Sequence, residues 1–263
     1  IIQWTVLLHL KVYSCLETYL ISFKHKGCNL SNLKKKFDQF DLNWRRQFAD
    51  GLKTDLLRKS AIKHAYWMDH EVLRQFYHND YEIDKNVFRS NQPSPRRIKF
   101  WGEKGIKTII NFRGKTNQGA YFLEKDACKK NNINLINFRL FATKLPPKEA
   151  LIELEALFKS IKVPFLMHCK SGSDRAGLGA ALYFIYILNA PIEVAQKQLS
   201  LRYLHLGGWT AGILDFMLMQ YRLAFHATGI KFKDWLVNEY EIDDLTKGFS
   251  AYRKTHHIFK IPR

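Results

Sequence analysis

Several features that would assign a sequence to a familiar class are absent from this chain. Its four cysteines, Cys15, Cys28, Cys128 and Cys169, show neither the paired spacing of a disulfide framework nor the short spacing of a metal site. It has no internal repeat and no low-complexity linker, which excludes solenoid and array architectures. Acidic residues are scarce, since 24 Asp and Glu stand against 42 Lys and Arg and the net charge is +18. These features favour a globular protein of a reducing compartment that attracts acidic partners.

Long uninterrupted apolar runs are also missing. The most apolar amino-terminal stretch, residues 1–22, is interrupted by Gln3, His9, Lys11 and Glu17 and lacks the order of a signal peptide. The sequence does not begin with Met, so we expect the natural chain to start further upstream. We predict a packed or interfacial helix here and a cytoplasmic protein, with peripheral membrane contact left open.

Length and composition predict three parts. Residues 1–64 are expected to form a basic, partly amphipathic helical extension, residues 65–250 the main domain and residues 251–263 a basic tail. With 46% apolar residues among 263, the chain can bury a full core. The tail carries basic side chains and no acid, so disorder and anion binding both stay open.

An aromatic stripe marks the helical extension. Phe37, Phe40, Trp44 and Phe48 recur at spacings of three and four, which places them along one face of a helix. We interpret this face as one that packs on the main domain. The alternative is a surface for an anionic membrane or another polyanion.

The main domain alternates between strand and helix patterns. Strands are predicted at residues 86–89, 107–112, 133–140 and 163–168, and helices at 119–131, 147–161 and 176–188, with further helical segments from residue 191. Residues 65–83 are expected to be helical or irregular. This order predicts an α/β fold with a central, mostly parallel sheet flanked by helices. Right-handed crossovers would bring the strand ends to one rim.

One short loop concentrates groups that suit an anion. It lies between the apolar strand 163–168 and the apolar helix 176–188, where open α/β sheets bind anions. Backbone N–H groups of residues 170–175 can converge on one tetrahedral anion, and Gly172 allows a close approach of the chain. The predicted phosphate-binding residues are Lys170, Ser171, Gly172, Ser173, Asp174 and Arg175.

Cys169 and Arg175 supply the reactive groups of this loop. Five residues separate them, enough for the loop to curl so that the guanidinium returns over the thiol and binds two phosphate oxygens. The N–H dipoles, the helix amino end and Arg175 favour the thiolate, which is the reactive form. A thiolate that faces a bound phosphate predicts a phosphocysteine intermediate that water then hydrolyses, without a metal or cofactor.

This loop and several segments before it resemble a known protein family. The pattern His-Cys, five residues and Arg at positions 168–175 resembles the signature of the protein tyrosine phosphatase superfamily in its dual-specificity branch. Residues 88–95, 105–113 and 144–147 are similar to bacterial dual-specificity-like phosphatases, so that the resemblance covers about residues 66–245. It implies a protein tyrosine phosphatase-like fold and hydrolysis of a phosphomonoester, either phosphotyrosine or another phosphoprotein, or a phosphoinositide.

Two departures from the family pattern concern catalysis. Ala176 stands where relatives usually carry Ser or Thr, whose hydroxyl helps the cysteine leave. Many relatives carry an acidic Asp on a separate upstream loop, yet residues 132–168 contain no Asp. Asp174 is therefore the predicted general acid, although it could instead cap the helix or pair with a basic neighbour. Weaker candidates on an expected solvated helix face are Glu149, Glu153 and Glu155.

The rim of the site and its partners complete the prediction. His168 and Arg113 are candidates for the substrate rim, but His168 is more simply a residue that orients the loop, and Arg113 is equally a structural ion-pair partner. The expected partners are a phosphorylated protein or an anionic phosphorylated small molecule or lipid. Nucleic acid is the least supported partner because it rests on net charge alone.

Two other functions stay open. A rhodanese-type sulfurtransferase also places a cysteine at a strand-to-helix turn, but His168 and Arg175 at this spacing favour a phosphatase. Ala176 makes a pseudophosphatase plausible, one that binds phosphorylated ligands and turns over none.

Overall fold

A computed structural model describes residues 30–207 and 210–255 of the chain. The predictions for residues 1–22 and for the last part of the basic tail, 256–263, lie outside the described residues. The helices are α1 (Leu30–Arg46), α2 (Asp55–Trp67), α3 (Glu71–Arg74), α4 (Pro95–Glu103), α5 (Gly119–Lys130), α6 (Lys148–Ser160), α7 (Asp174–Tyr186), α8 (Ile192–Gln196), α9 (Gly212–Thr228), α10 (Phe232–Asn238) and α11 (Ile242–Thr255), with a 3-10 turn at Leu201–Tyr203. The strands are β1 (Tyr81–Asp84), β2 (Val87–Ser90), β3 (Thr108–Asn111), β4 (Asn134–Asn137) and β5 (Phe165–His168).

These strands form one sheet in the order β1-β2-β5-β3-β4. The edge strand β1 is antiparallel to β2, and the other pairs are parallel, so the predicted α/β fold with a mostly parallel sheet is confirmed. The register aligns His168 at the end of β5 with Ser90 of β2 and Asn111 of β3. The carboxyl ends of these three strands therefore share one rim.

The core of the domain lies between the central strand β5 and the helix α7. All four residues of β5 are buried, and α7 is buried from Ala176 to Tyr183. A Cβ on Gly179 would come within 2.3 Å of the ring of Phe112, so α7 lies directly on the chain that follows β3. This packing fixes the loop between β5 and α7 at both of its ends.

The first part of the sequence packs on this core less completely than predicted. Phe48 is fully buried against Ala61 of α2, and Trp44 is half-buried and donates to the Ser60 hydroxyl at 2.8 Å. Phe37 and Phe40 are 58% and 56% exposed, so the prediction that the whole stripe packs inward is wrong for these two. Phe37 and Phe40 stay exposed because only the second half of the stripe, Trp44 and Phe48, reaches α2.

Neither predicted boundary coincides with the end of a helix. The helix α2 runs from residue 55 to 67, through the boundary expected at residue 64. It contacts α5 closely, since a Cβ on Gly119 would lie 2.6 Å from the carbonyl oxygen of Ala61. The helix α11 likewise continues to Thr255, past the boundary expected at residue 250. Of the helices in the described residues, none has the length and apolar character needed to cross a bilayer.

Candidate active site

The loop that carries Cys169 lies at the rim formed by β2, β3 and β5. Cys169 follows the last residue of β5, and α7 begins at Asp174. The side chain of Cys169 is buried at the base of the loop. The predicted sequence of strand, loop and helix is therefore present, and Cys169 lies between the end of β5 and the amino end of α7, where the helix dipole favours an anion.

The backbone of the loop is turned so that its carbonyls point outward. Four consecutive carbonyls, those of residues 170–173, accept hydrogen bonds from outside the loop. Their donors are the backbone N–H of Gln92 at 3.2 Å, the side-chain amide of Asn79 at 2.9 Å and the guanidinium of Arg89 at 2.7 and 3.2 Å. In a trans peptide the C=O and the next N–H point in opposite directions. The N–H groups of residues 171–174 therefore face the inside of the loop, as an anion-binding nest requires.

Gly172 makes this shape possible for two reasons. Its φ of 77° lies in the left-handed region, which a residue with a Cβ rarely adopts. A Cβ at this position would also lie 2.8 Å from the backbone of Ser90 and Asn91. The predicted close approach is thus an approach to the end of β2, which holds the loop against the sheet.

Arg175 provides a donor that no group of the described residues satisfies. Its Nε is buried and has no hydrogen-bond partner there. Leaving a buried donor unpaired costs about 1–3 kcal/mol, so such a group is expected to be completed by a ligand oxygen. The hydroxyls of Ser171 and Ser173 instead bond to each other at 2.6 Å.

Arg89 is a central residue of the site to which the sequence assigned no role. It is fully buried, and its guanidinium lies over the ring of Tyr203 at 3.9 Å and donates to both oxygens of Gln198, at 2.8 and 2.9 Å. Burial lowers the pKa of Arg89 to about 10, against the opposing effects of Tyr203 and Cys169. Arg89 therefore stays cationic at neutral pH, and its hydrogen bonds to the carbonyls of Gly172 and Ser173 hold the loop in place.

Arg113 belongs to a buried ion cluster centred on Asp69. Its Nη1 and Nη2 lie 2.8 and 2.6 Å from the two carboxylate oxygens of Asp69. Asp69 also binds Arg74 at 3.0 Å and approaches the Lys170 ammonium at 3.7 Å. Burial alone would raise the pKa of Asp69, but Arg113 and its other cationic neighbours hold it well below the usual range. Of the two roles left open for Arg113, this geometry supports that of the structural ion-pair partner.

His168 lies inside the protein and away from any substrate rim. It is fully buried, and its Nε2 is 2.6 Å from the equally buried carboxylate of Glu124. Its Nδ1 lies 3.2 Å from the carbonyl oxygen of Cys169. Because His168 is buried, the prediction that it lies on the substrate rim is wrong. Its imidazole instead contacts the backbone of Cys169 and orients the loop.

Asp174 is paired with a histidine that sequence reasoning missed. Its Oδ1 lies 2.7 Å from Nδ1 of His205, and Nε2 of His205 lies 2.5 Å from Asp215. Burial alone would lower the pKa of His205, but the two carboxylates more than offset this and raise it to about 9. The side chain of Asp174 is 26% exposed, whereas His205 is fully buried. His205 and Asp215 carry no local sequence signal, because helix α9 meets the loop only in the folded chain.

The remaining residues of the prediction lie where the sequence places them. Ala176 is buried in the first turn of α7. Glu149 and Glu153 are exposed on α6, as expected of a solvated helix face, whereas the side chain of Glu155 is only 14% exposed and pairs with Lys159 at 2.5 Å. The structure brings together Cys169, the loop residues 170–173, Asp174 and Arg175, and it leaves the three glutamates on a separate helix.

Comparison with known proteins gives one family and several relatives. Residues 70–204, just over half of the chain, match the family model described as DSP-PTPase phosphatase fused to NAD+ kinase. The inositol diphosphatase DSP4 of Arabidopsis thaliana is 32% identical over 101 residues, which cover 36% of this chain and 49% of that protein. The dual specificity protein phosphatase TpbA of Pseudomonas aeruginosa is 26% identical over 132 residues, covering 50% of this chain and 55% of that protein. The chain thus spans about half the length of these curated relatives.

The chain is also similar to proteins whose structures have been solved. The crystal structure of P. aeruginosa TpbA has a TM-score of 0.45 and 21% identity, and the likeness covers 57% of this chain and 91% of that one.

Asp69, His205 and Asp215 lie outside the segment that matches the family model, whereas Cys169, Asp174 and Arg175 lie inside it.

Proposed function

This chain belongs to the family of DSP-PTPase phosphatases fused to NAD+ kinase, and we propose that it hydrolyses phosphomonoesters through a phosphocysteine intermediate. The observation that carries the proposal is the loop itself. Its N–H groups turn inward, its Arg175 holds a buried donor without a partner in the described residues, and Cys169 lies at its base. A tetrahedral dianion complements these groups in charge and in hydrogen bonding.

The proposed reaction has two steps. The thiolate of Cys169 attacks phosphorus, so that an S–P bond forms while the bond to the leaving oxygen breaks. Water then attacks the same phosphorus, the S–P bond breaks, and inorganic phosphate and the thiolate are released. Arg175 and the loop N–H groups stabilise the charge on the three other phosphoryl oxygens in both steps. The proposal includes no metal or cofactor.

Asp174 is the proposed donor of the proton that the leaving oxygen needs. Its side chain is 26% exposed, and it directly precedes Arg175 at the start of α7. Replacement by asparagine then slows aryl phosphates with poor leaving groups more than those with good ones. An unchanged ratio of the two rates would place the acid elsewhere.

The proposed substrate is a phosphorylated protein or an anionic phosphorylated small molecule or lipid. Two of the curated relatives are named as a dual specificity protein phosphatase and an inositol diphosphatase, and both names describe enzymes that act on phosphate groups. The net charge of +18 supports an anionic substrate. A panel of phosphopeptides and phosphoinositides would rank these classes.

A pair of cysteine variants tests the proposal. Cys169→Ser should abolish hydrolysis of an aryl phosphate while the fold remains, because the hydroxyl is a much weaker nucleophile. Cys128→Ser is the matched control: Cys128 is also buried, but it lies in a separate cluster beside Trp101, and burial raises its pKa so that it stays a thiol. Hydrolysis that persists in Cys169→Ser would refute the cysteine mechanism. Phosphate binding without turnover in the wild type would indicate a pseudophosphatase.

A further inference from the structure

His205 lies one residue beyond the segment that matches the family model, and it connects the phosphate loop to a helix that the match does not include. It follows the 3-10 turn and Leu204, whose φ of 60° redirects the chain toward the interior. Its backbone N–H donates to the carbonyl of Ser200 at 3.1 Å, which fixes the ring from its own segment. The imidazole then bridges Asp174 on α7 and Asp215 on α9.

Both ring nitrogens of His205 face carboxylates, and this determines the protonation state of the ring. A neutral imidazole has one N–H and one lone pair, so either tautomer would direct a lone pair at a carboxylate oxygen. The imidazolium instead donates to both partners. The charged groups around it are Asp174 from α7 and Asp215 from α9, and Arg89 from β2 also interacts with Asp174.

We infer that His205, as the imidazolium, is a positioning residue for phosphate binding in the loop. Asp174 is the first residue of α7 and immediately precedes Arg175, so a bond that fixes Asp174 also fixes the turn from which the guanidinium extends. On the other side, Asp215 is buried in the first turn of α9, a helix of 17 residues. The bridge therefore ties the amino end of α7 to a second rigid element. This inference rests on the proposed function, because the loop is taken as the phosphate site.

The first experiment compares His205→Gln with a matched histidine variant. His226 also lies on α9, but its side chain is exposed and pairs with Glu193 at 2.6 Å on the surface. His226→Gln should therefore leave the rate of hydrolysis unchanged. In His205→Gln the kcat/KM for aryl phosphates should fall by about tenfold to a hundredfold, to the same extent for good and poor leaving groups. Competitive inhibition by inorganic phosphate should weaken in parallel. A loss confined to poor leaving groups, or unchanged inhibition by phosphate in a folded variant, would overturn the inference.

The second experiment uses pH and needs no turnover. Direct titration of the wild type with inorganic phosphate should show affinity that is lost as the pH rises through about 9, where the imidazolium loses its proton. His205→Gln should lack this step. If His205→Gln does not fold, Asp215→Asn retains the histidine with one carboxylate and should move the step to lower pH. An identical pH dependence in the wild type and in the variant would refute the role of His205, whether or not the protein turns over a substrate.

Discussion

Replacing His205 by glutamine is predicted to remove a pH-dependent part of the stability of this protein. The two carboxylates that flank the buried imidazole raise its pKa from 6.5 to about 9. Because the folded pKa lies above the unfolded one, the stabilisation is fully present below pH 6.5 and is lost as the pH rises through about 9. A shift of this size corresponds to about 3 kcal/mol, since each pKa unit is worth about 1.4 kcal/mol.

Urea unfolding at a series of pH values from about 6 to about 10 would measure this contribution. The difference in unfolding free energy between wild type and His205→Gln should shrink by about 3 kcal/mol across that range. Titrating groups that do not contact His205 are present in both proteins and cancel in the difference.

A difference that stays constant with pH would refute the reasoning, because it would show that folding does not raise the pKa of His205. His226→Gln serves as the control and should follow the wild type throughout, since its side chain is exposed. Asp215→Asn adds a graded result. It should move the loss of stability to lower pH, because one of the two carboxylates that hold the proton is gone.

Three further predictions concern the residues that hold the loop in place. Arg89→Met should destabilise the protein by about 3–5 kcal/mol and weaken phosphate binding, because it leaves the carbonyls of Gly172 and Ser173 without their guanidinium donor; chemical denaturation and phosphate titration would check this. Gly172→Ala should cost more than about 1 kcal/mol, as seen by thermal unfolding, since its φ is positive and its Cβ would meet the end of β2. Asp69→Asn should cost about 3–5 kcal/mol at neutral pH, because Arg113 would lose its buried carboxylate. The pKa of Asp69 is depressed, so its stabilisation is present above about pH 4 and is lost only as the pH falls below that; a wild type as unstable as the variant at pH 7 would contradict this.

The loop of the candidate active site was predictable as a strand-to-helix connection because its parts are neighbours in the chain. Cys169, the glycine at 172 and Arg175 lie within seven consecutive residues between an apolar strand and an apolar helix. Local patterns of this kind determine the end of β5 and the start of α7 without reference to the rest of the fold. The mostly parallel sheet followed from the alternation of strands and helices, whereas the order of the strands in the sheet came only from the structure.

The residues that hold the loop were not predictable in the same way. Arg89 reaches Gly172 across 83 positions of the chain, and Asp69 reaches Arg113 across 44. Such pairings depend on the tertiary structure, which no local pattern of the sequence encodes. A weak signal did exist for Arg89, because it is a charged residue in a strand whose other members are mostly apolar.

The edge strand β1 was missed for a local reason. Its residues Tyr81–Asp84 are only partly buried, so they show no clear alternation of apolar and polar side chains. The two-residue connection to β2 contains Asn86 with a φ of 63°, and asparagine in this left-handed region is a hairpin signal. The register between Asp84 and Val87 confirms that connection.

The holding contacts give the loop its shape before any ligand binds. Arg89 bonds the loop carbonyls from β2, Asp69 attracts Lys170 from the segment before α3, and His205 joins Asp174 to α9. Each contact comes from a different element, so no single local movement releases the loop. Arg89, Arg113, Lys170 and Arg175 supply four positive charges near Cys169, and Asp69, Asp174 and Glu124 are among the acidic groups that oppose them. Under the proposed function, a phosphate dianion bound in the loop would place negative charge beside these cations without a rearrangement of the loop.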